Sequence, residues 1–437
     1  MKAWRKWTYG WGNFSNTVAQ QVFTNRIQFF YIDVLGLSAA LAGGIWFVYG
    51  LWNAVNDPLM GNLSDRTRTR MGRRIPYVLF GAIPLGIAFY FLWTPPRGQM
   101  WATALYFAVI LFIFDTLYTL TIMAYNALFT ELAVGLKERS SLAAVREGLA
   151  VIALLLAFIL APILSEELGF KPMGIIIGAF VAVGYLISVI GAKEDPAHMK
   201  GQSMGMWQSL RICLSSRPFR WYILANIAKE YVFIILAATL PFWRKYVLQI
   251  TAKSQVFGTT MGAGDQEAIL LAVPFLLCVP LLVLWNKLTP RIGVRRAWIY
   301  SFLLFVPGLA IMTFADDFYS GLAGTALLAP GLSGFMMLPI VMLSEVIEDD
   351  AQRVGERREG IFFGINGGIV KLAFSFQGML YALVLSVSGY VEGATVQPAS
   401  AVWGIRFLIG MSPLIVCLLG ALALRYYPLR NVERAAA

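Results

Sequence analysis

Seven ionisable side chains fall deep inside long apolar stretches of this chain, away from their ends: Arg26, Asp57, Asp115, Lys229, Glu230, Lys371 and Arg406. An ionised group at the centre of a bilayer costs about 2.5–3.5 kcal/mol on insertion scales, so each needs a partner or a task. Asp57 stands directly before Pro58, and Asn53 lies one helical turn earlier on the same face. A carboxylate beside amide oxygens suits a small hard cation or an exchangeable proton. The other reading pairs Asp57 with Arg146 or Lys371 to lock helices together. Lys371, beside Gly367 and Gly368, would tend to lose its proton if buried unpaired. Asp57 and then Asp115 are its candidate partners. Asp115, Tyr118, Thr119 and Ile122 share a face by their three- and four-residue spacing. That face can bind hydroxyl groups; alternatively, Asp115 pairs with Arg26. The first apolar stretch carries Asn13, Asn16, Thr17, Gln20, Thr24 and Gln28 roughly on one stripe, lining a polar path or joining helices through amides. Lys229 and Glu230, being adjacent, are expected to point apart and pair elsewhere. Arg406 is expected to snorkel, with Glu392 as its candidate partner. Thr17, Gln20, Asp115, Tyr118, Asn126 and Lys371 are thus the expected substrate site, and Asn53 and Asp57 the cation-coupling site.

Other chemistries are poorly served. Cys213, Cys278 and Cys417 lie far apart without a CxxC pair, and His198 is the only histidine. They read as ordinary buried thiols, with no multi-histidine metal or proton-relay site. No Gly-rich phosphate loop is present. No cofactor and no enzyme activity are expected, and the one metal considered is Na+ at Asp57.

The elements that must hold these residues follow from composition. The 437 residues are 58% hydrophobic and only 14% charged, with a mean hydropathy of +0.68. A soluble protein of this kind could not cover its surface with polar groups. Twelve apolar spans are read, approximately Tyr9–Tyr31, Ala39–Leu63, Pro76–Thr94, Met100–Leu132, Val145–Leu164, Met173–Ala192, Trp221–Trp243, Ala268–Asn286, Ala297–Phe314, Tyr319–Leu343, Ile361–Gly389 and Ala401–Tyr427. Helices satisfy every backbone group within such a segment, and no alternating strand pattern competes. The expected fold is therefore an all-α, multi-pass membrane protein. The basic N-terminal start is not followed by the compact apolar core of a cleaved signal peptide.

The net charge of +11 sits between the spans rather than in a nucleic-acid-binding patch. With the N-terminus inside, 26 of the 35 Lys and Arg fall on the inner side and 5 on the outer side. That excess predicts cytoplasmic termini in an inner (plasma) membrane. The polar connector 193–220 divides the chain into halves 1–192 and 221–437, each with six spans. The halves echo each other: Gly72-Arg73-Arg74 precedes the third span, and Gly293 with Arg295-Arg296 precedes the ninth. Two related halves imply a substrate path near mid-membrane. The connecting loops also carry acids. Asp65, Arg73, Arg74 and Arg146 of the first half, with Arg295, Arg296, Glu345, Asp349 and Glu356 of the second, are expected to form a charged cytoplasmic gate; the alternative is a set of solvated surface pairs.

Three stretches carry a resemblance: NDPLMGNLSDRTRTRMGRRIPY from Asn56, AYNALFTELAVGLKERSSLAAVR from Ala124, and MLSEVIEDDAQRVGERREGIFFGINGGIVK from Met342. With TYGWGNFSN from Thr8 and YIDVLGLS from Tyr31, they make the whole chain resemble the major facilitator superfamily, and within it the glycoside–pentoside–hexuronide:cation symporters, the group of the melibiose permease. The resemblance implies a cation-coupled sugar symporter working by alternating access. It places Asp57 at a second cation-site aspartate and Asn53 where the permease has its first. Thr17 stands where a sugar-binding aspartate is found, Ile122 at a further aspartate and Asn126 at a sugar-stacking tryptophan. Arg146, Lys371 and Tyr118 match functional residues. The scaffold is kept and the galactoside pocket is not. The expected function is secondary active symport, driven by H+ or Na+, of a sugar, glycoside or sugar acid, by a monomer in the lipid bilayer. The alternatives are a carrier of a lipid-like or other organic solute, and a non-transporting receptor or scaffold.

Overall fold

The computed structural model describes residues 2–67, 69–96, 98–132, 136–192, 206–355 and 358–429. It folds as two compact units, Met1–Ser203 and Met204–Ala437. The first contains α1 (Ala3–Gln28, continued by a π-helical stretch Phe29–Val34), α2 (Ala39–Arg66), α3 (Ile75–Phe91), α4 (Met100–Leu132), α5 (Leu136–Glu167) and α6 (Phe170–Ile190). The second contains α7 (Met206–Ser215), α8 (Arg217–Phe242, continued by the π-helical Trp243–Val247), strands β1 (Ser254–Val256) and β2 (Thr259–Met261), α9 (Ala263–Ile292), α10 (Val294–Phe314), α11 (Phe318–Leu327), α12 (Ala329–Val354), α13 (Glu359–Val387), α14 (Ala399–Arg406) and α15 (Ser412–Arg425), with a π-helical Phe407–Met411 between the last two.

All twelve predicted spans lie on helix. Among the described residues, eight helices are long and apolar enough to cross a membrane by length and composition. The apolar α3 is shorter, at 17 residues, and the amide stripe of α1 lowers its hydrophobicity. Three features depart from the sequence reading. The span expected over Tyr319–Leu343 is broken at Leu328, where Pro330 restarts the helix as α12. A short helix, α7, occupies part of the polar connector. An antiparallel hairpin pairs Ser254 with Met261 and Val256 with Thr259. Phe257 and Gly258 turn it with φ of 52° and 77°, the double left-handed geometry that matches strand twist.

The internal repeat reappears as equivalent packing inside each unit. In the first, α1 packs on α5 and α6, α3 on α4 and α6, and α2 on α4. In the second, α8 packs on α13 and α15, α10 on α12 and α15, and α9 on α12. The paired sequence signatures also match in conformation. Gly72 and Gly293 both adopt positive φ, 105° and 82°, just before α3 and α10. A Cβ would be strained there, which explains glycine ahead of each arginine pair.

Glycines bring the backbones of α3 and α6 close together. A Cβ on Gly86 would lie 2.5 Å from the Gly178 carbonyl oxygen, and one on Gly178 would meet the Gly86 carbonyl at the same distance. Helices in lipid gain no hydrophobic driving force from association, so close backbone approach over small residues provides much of the attraction. Gly86→Val should therefore cost about 1–3 kcal/mol by overpacking. It should lower the thermal midpoint in detergent by several degrees, whereas Gly44→Ala, whose Cβ meets nothing within 4 Å, should not.

All three cysteines are free and buried. Cys213 lies on α7, which packs on α8 and α13. Burial and then the Asp350 carboxylate push its thiol up to about 12, against an opposing pull from Arg358. At pH 8 it should therefore be almost wholly protonated and react slowly with maleimide, with the rate rising as pH approaches the thiol pKa. Asp350→Asn should speed labelling at fixed pH and Arg358→Gln should slow it, measured in a background lacking Cys278 and Cys417.

Candidate functional site

The polar interior of the first unit is built from α1, α2, α4, α5 and α6. Asp115 on α4 is 3% exposed. Its Oδ1 accepts the Tyr49 hydroxyl at 3.0 Å and its Oδ2 accepts the Asn56 amide at 2.8 Å. Tyr49, Asn53 and Asn56 are spaced four and three apart, so one face of α2 presents all three. Asn53 is buried on the same face of α2. The carboxylate thus sits in an apolar bundle with a neutral donor on each oxygen. Three buried oxygens in the two helices accept nothing from the described residues: Asn53 Oδ1, Asn56 Oδ1 and Thr119 Oγ1, the last one turn from Asp115 on α4. A site of carboxylate, amide carbonyl and hydroxyl oxygens is the ligand set of a hard cation. Its carboxylate could equally carry a proton.

A second cluster continues along the same helices. Tyr118, one turn from Asp115, donates to Asn16 Oδ1 at 2.7 Å, and Tyr185 of α6 reaches the same oxygen at 3.5 Å. Tyr9 and Tyr125 stack at 4.5 Å between ring centroids, and each hydroxyl donates to the other's backbone carbonyl at 2.8 Å. The Arg146 guanidinium lies over the Tyr125 and Phe129 rings at 5.7 and 5.8 Å. Its backbone carbonyl accepts from the Asn13 amide at 3.2 Å.

The expected site residues are distributed as follows. Asp115, Tyr118 and Asn53 belong to these clusters. The Thr17 hydroxyl donates to its own helix, to Asn13 O at 2.9 Å. Gln20 is half-buried on α1 and Asn126 is exposed on α4. The side chains of Asp57, Asp65 and Lys371, and the whole of Glu356, lie outside the described residues. Arg73 and Arg74 are half-buried just before α3, and Arg296 is exposed on α10. Arg295 donates to the backbone carbonyls of Leu424, at 2.9 Å, and Arg425. Glu345 is half-buried on α12, and Asp349 pairs with Arg353 one turn along that helix. Asp350 and Arg358 form a largely buried pair at 2.8 Å that closes the turn between α12 and α13. Two acids of this stretch are therefore engaged within their own unit.

Three pairings differ from the sequence reading. Lys229 and Glu230 bond to each other despite being adjacent, since both side chains are long enough to bend together. Arg406 pairs with Asp316 rather than the expected Glu392, and it also donates to Thr313 O at 2.7 Å. Arg244, one of the five basic residues that the sequence reading counts on the outer side, is 3% exposed and bonds Glu267 at 2.8 Å, tying the end of α8 to the start of α9. The sequence reading places Asn16 on the polar stripe of α1 but does not single out Tyr49, Asn56 or Tyr185. The Tyr49–Asn53–Asn56 spacing was the available signal for the first two.

A connected buried network resists piecemeal change. Asp115→Leu strands the Tyr49 hydroxyl and the Asn56 amide, at roughly 1–3 kcal/mol for each stranded donor. The triple variant Tyr49→Phe, Asn56→Leu, Asp115→Leu removes both of these donors together with the carboxylate and should recover much of that loss. Thermal midpoints across the full mutant cycle check this. Strictly additive losses would mean that the three side chains do not act as a network.

Comparison with known proteins supplies the family. The model of the MFS/sugar transport protein family matches residues 8–431. The inner membrane symporter YicJ of Escherichia coli (strain K12) is 27% identical over 430 residues, covering 96% of this chain and 91% of that protein. The sodium-dependent lysophosphatidylcholine symporter 1-A of Danio rerio is 22% identical over 485 residues, covering 99% and 87%. In fold, the chain is similar to the crystal structure of the nucleoside transporter NupG, with a TM-score of 0.70 at 10% identity over 97% of this chain and 100% of that one. With twelve predicted spans on helix, a packing repeat in the two units and a family match over nearly its whole length, the chain belongs to the MFS/sugar transport protein family of the major facilitator superfamily and is a membrane transporter, not an enzyme.

Proposed function

We propose that this transporter is a cation-coupled symporter of a carbohydrate: a sugar, glycoside or sugar acid. The observation that carries the coupling is the buried Asp115–Tyr49–Asn56 network beside the unpartnered oxygens of Asn53, Asn56 and Thr119. Hydrogen-bond donors already hold the carboxylate, while oxygens beside it have no donor. That surplus of acceptors in a dry interior is relieved by a cation or a bound proton. Asp57 stands one turn beyond Asn53 on α2 and is the second acid of the coupling site. The family supports the carbohydrate class. Tyr118 and Asn16 offer hydroxyl and amide groups for sugar hydroxyls, with Thr17, Gln20, Asn126 and Lys371 as further contacts. The basic connectors favour an inner-membrane orientation with both termini cytoplasmic.

The lysophosphatidylcholine relative, with the altered galactoside positions, supports a lipid-like solute as the second reading. Uptake into sealed vesicles under an imposed Na+ or pH gradient separates the two. A panel of glycosides, pentosides and hexuronides should contain a solute that accumulates only with the gradient. Asp57→Asn should abolish accumulation while leaving exchange. Accumulation of lysophosphatidylcholine alone would replace the carbohydrate reading, and unimpaired accumulation by Asp57→Asn would remove Asp57 from coupling.

A further inference from the structure

The turn between α9 and α10 is a single residue, Gly293, so the two helices leave it side by side. Between them runs an apolar groove of about 370 Å³ lined by Leu281, Leu284 and Leu288 of α9 and Tyr300, Leu303 and Leu304 of α10. Trp285 closes its floor, its indole N–H donating to Pro330 O at 2.9 Å and Ser333 Oγ at 3.1 Å. The walls are open: Leu284 is 56% exposed and Tyr300 48%. In a membrane transporter such a surface meets acyl chains.

What distinguishes this groove is the charge at its head. Lys287 and Arg291 are each three residues beyond a lining leucine, Leu284 and Leu288, and so continue its face of α9. Arg296 stands four before Tyr300, seven before Leu303 and eight before Leu304, and so continues its face of α10. All three cations are exposed, whereas Arg295 beside them is committed to backbone carbonyls. Two helical stripes thus run from apolar to cationic in the same direction, toward the same turn. Basic residues flanking an apolar cleft between membrane helices recognise anionic lipid head groups.

We propose that the α9–α10 groove is a binding site for an anionic phospholipid, with the phosphate held by Lys287, Arg291 and Arg296 and one acyl chain lying along Leu281, Leu284, Leu288, Leu303 and Leu304. Such a lipid clamps the helical hairpin from outside and stabilises the second unit. A ligand that binds the folded form raises the thermal midpoint by mass action.

The test uses the full-length protein in detergent. Phosphatidylglycerol, phosphatidylcholine or inorganic phosphate is added, and thermal midpoint and lipid retained in native mass spectrometry are read together. Phosphatidylglycerol should raise the midpoint and remain bound; phosphatidylcholine and phosphate should do neither. Lys287→Gln, Arg291→Gln and Arg296→Gln combined should weaken phosphatidylglycerol retention by about tenfold or more, since each basic residue near an anionic lipid surface contributes several-fold. The matched variant Arg211→Gln, Arg217→Gln, Arg220→Gln should retain it. Leu284→Trp with Leu304→Trp fills the groove, keeps the charges and should also lose the lipid. Equal loss in both charge variants would reduce the effect to general surface attraction and overturn the site. An equal shift with phosphate alone, or full retention in the groove-filled variant, would overturn the acyl-chain part and with it the proposal.

Discussion

The structure depends on the cost of an unsatisfied polar group away from water. In a bilayer every backbone N–H and C=O must be paired within its own segment, so the chain is helix almost throughout. The same cost decides where polar side chains can sit. Asp115 is tolerated at 3% exposure because Tyr49 and Asn56 bring a donor to each oxygen. Arg244 is tolerated because Glu267 and the Ile250 carbonyl, at 2.5 Å, receive it. A buried ion pair of that kind adds little net stability over apolar packing, but losing one partner is severe. It therefore fixes the end of α8 against the start of α9 more than it strengthens the unit.

Against that background the unpartnered oxygens on α2 and α4 gain meaning. A bundle that satisfies Asp115 so fully while leaving Asn53 Oδ1, Asn56 Oδ1 and Thr119 Oγ1 without donors has acceptors to spare. A cation would be the chemical complement of such acceptors, as the proposed coupling requires. Coupling then needs only that the cation's affinity differ between conformations, since a ligand can shift an equilibrium by no more than its differential affinity. The Tyr118–Asn16–Tyr185 cluster extends polar contact along the same helices, so substrate hydroxyls and a cation can act on one framework.

Much of the fold was legible because its signals are local. The α4 span was read as Met100–Leu132 and the helix has those ends. The Gly-Arg-Arg echo marked two turns that share positive φ. The departures all involve short or distant relations. The hairpin has only three residues per strand, too few for alternation to register. The ten-residue α7 hides in a polar connector. Arg406 finds Asp316, 90 positions away, through the packing of α14 against α10, and no spacing rule encodes that choice. At the site, the Asn53 position was legible from helical periodicity, whereas the role of Tyr49 was not. A tyrosine in an apolar span reads as packing until its hydroxyl is seen on a carboxylate.

The proposed symport requires cation and substrate binding to be linked through the α2–α4 network. Linkage requires the cation to change substrate affinity and the substrate to change cation affinity by the same factor. The most direct measurement is calorimetric titration of a transported carbohydrate into purified protein across a series of Na+ concentrations and pH values. The wild type should show an affinity that rises with Na+ or with proton concentration. The Asn53→Ala, Asn56→Ala variant should bind with an affinity nearly independent of both. Full cation dependence retained in that variant would contradict the account.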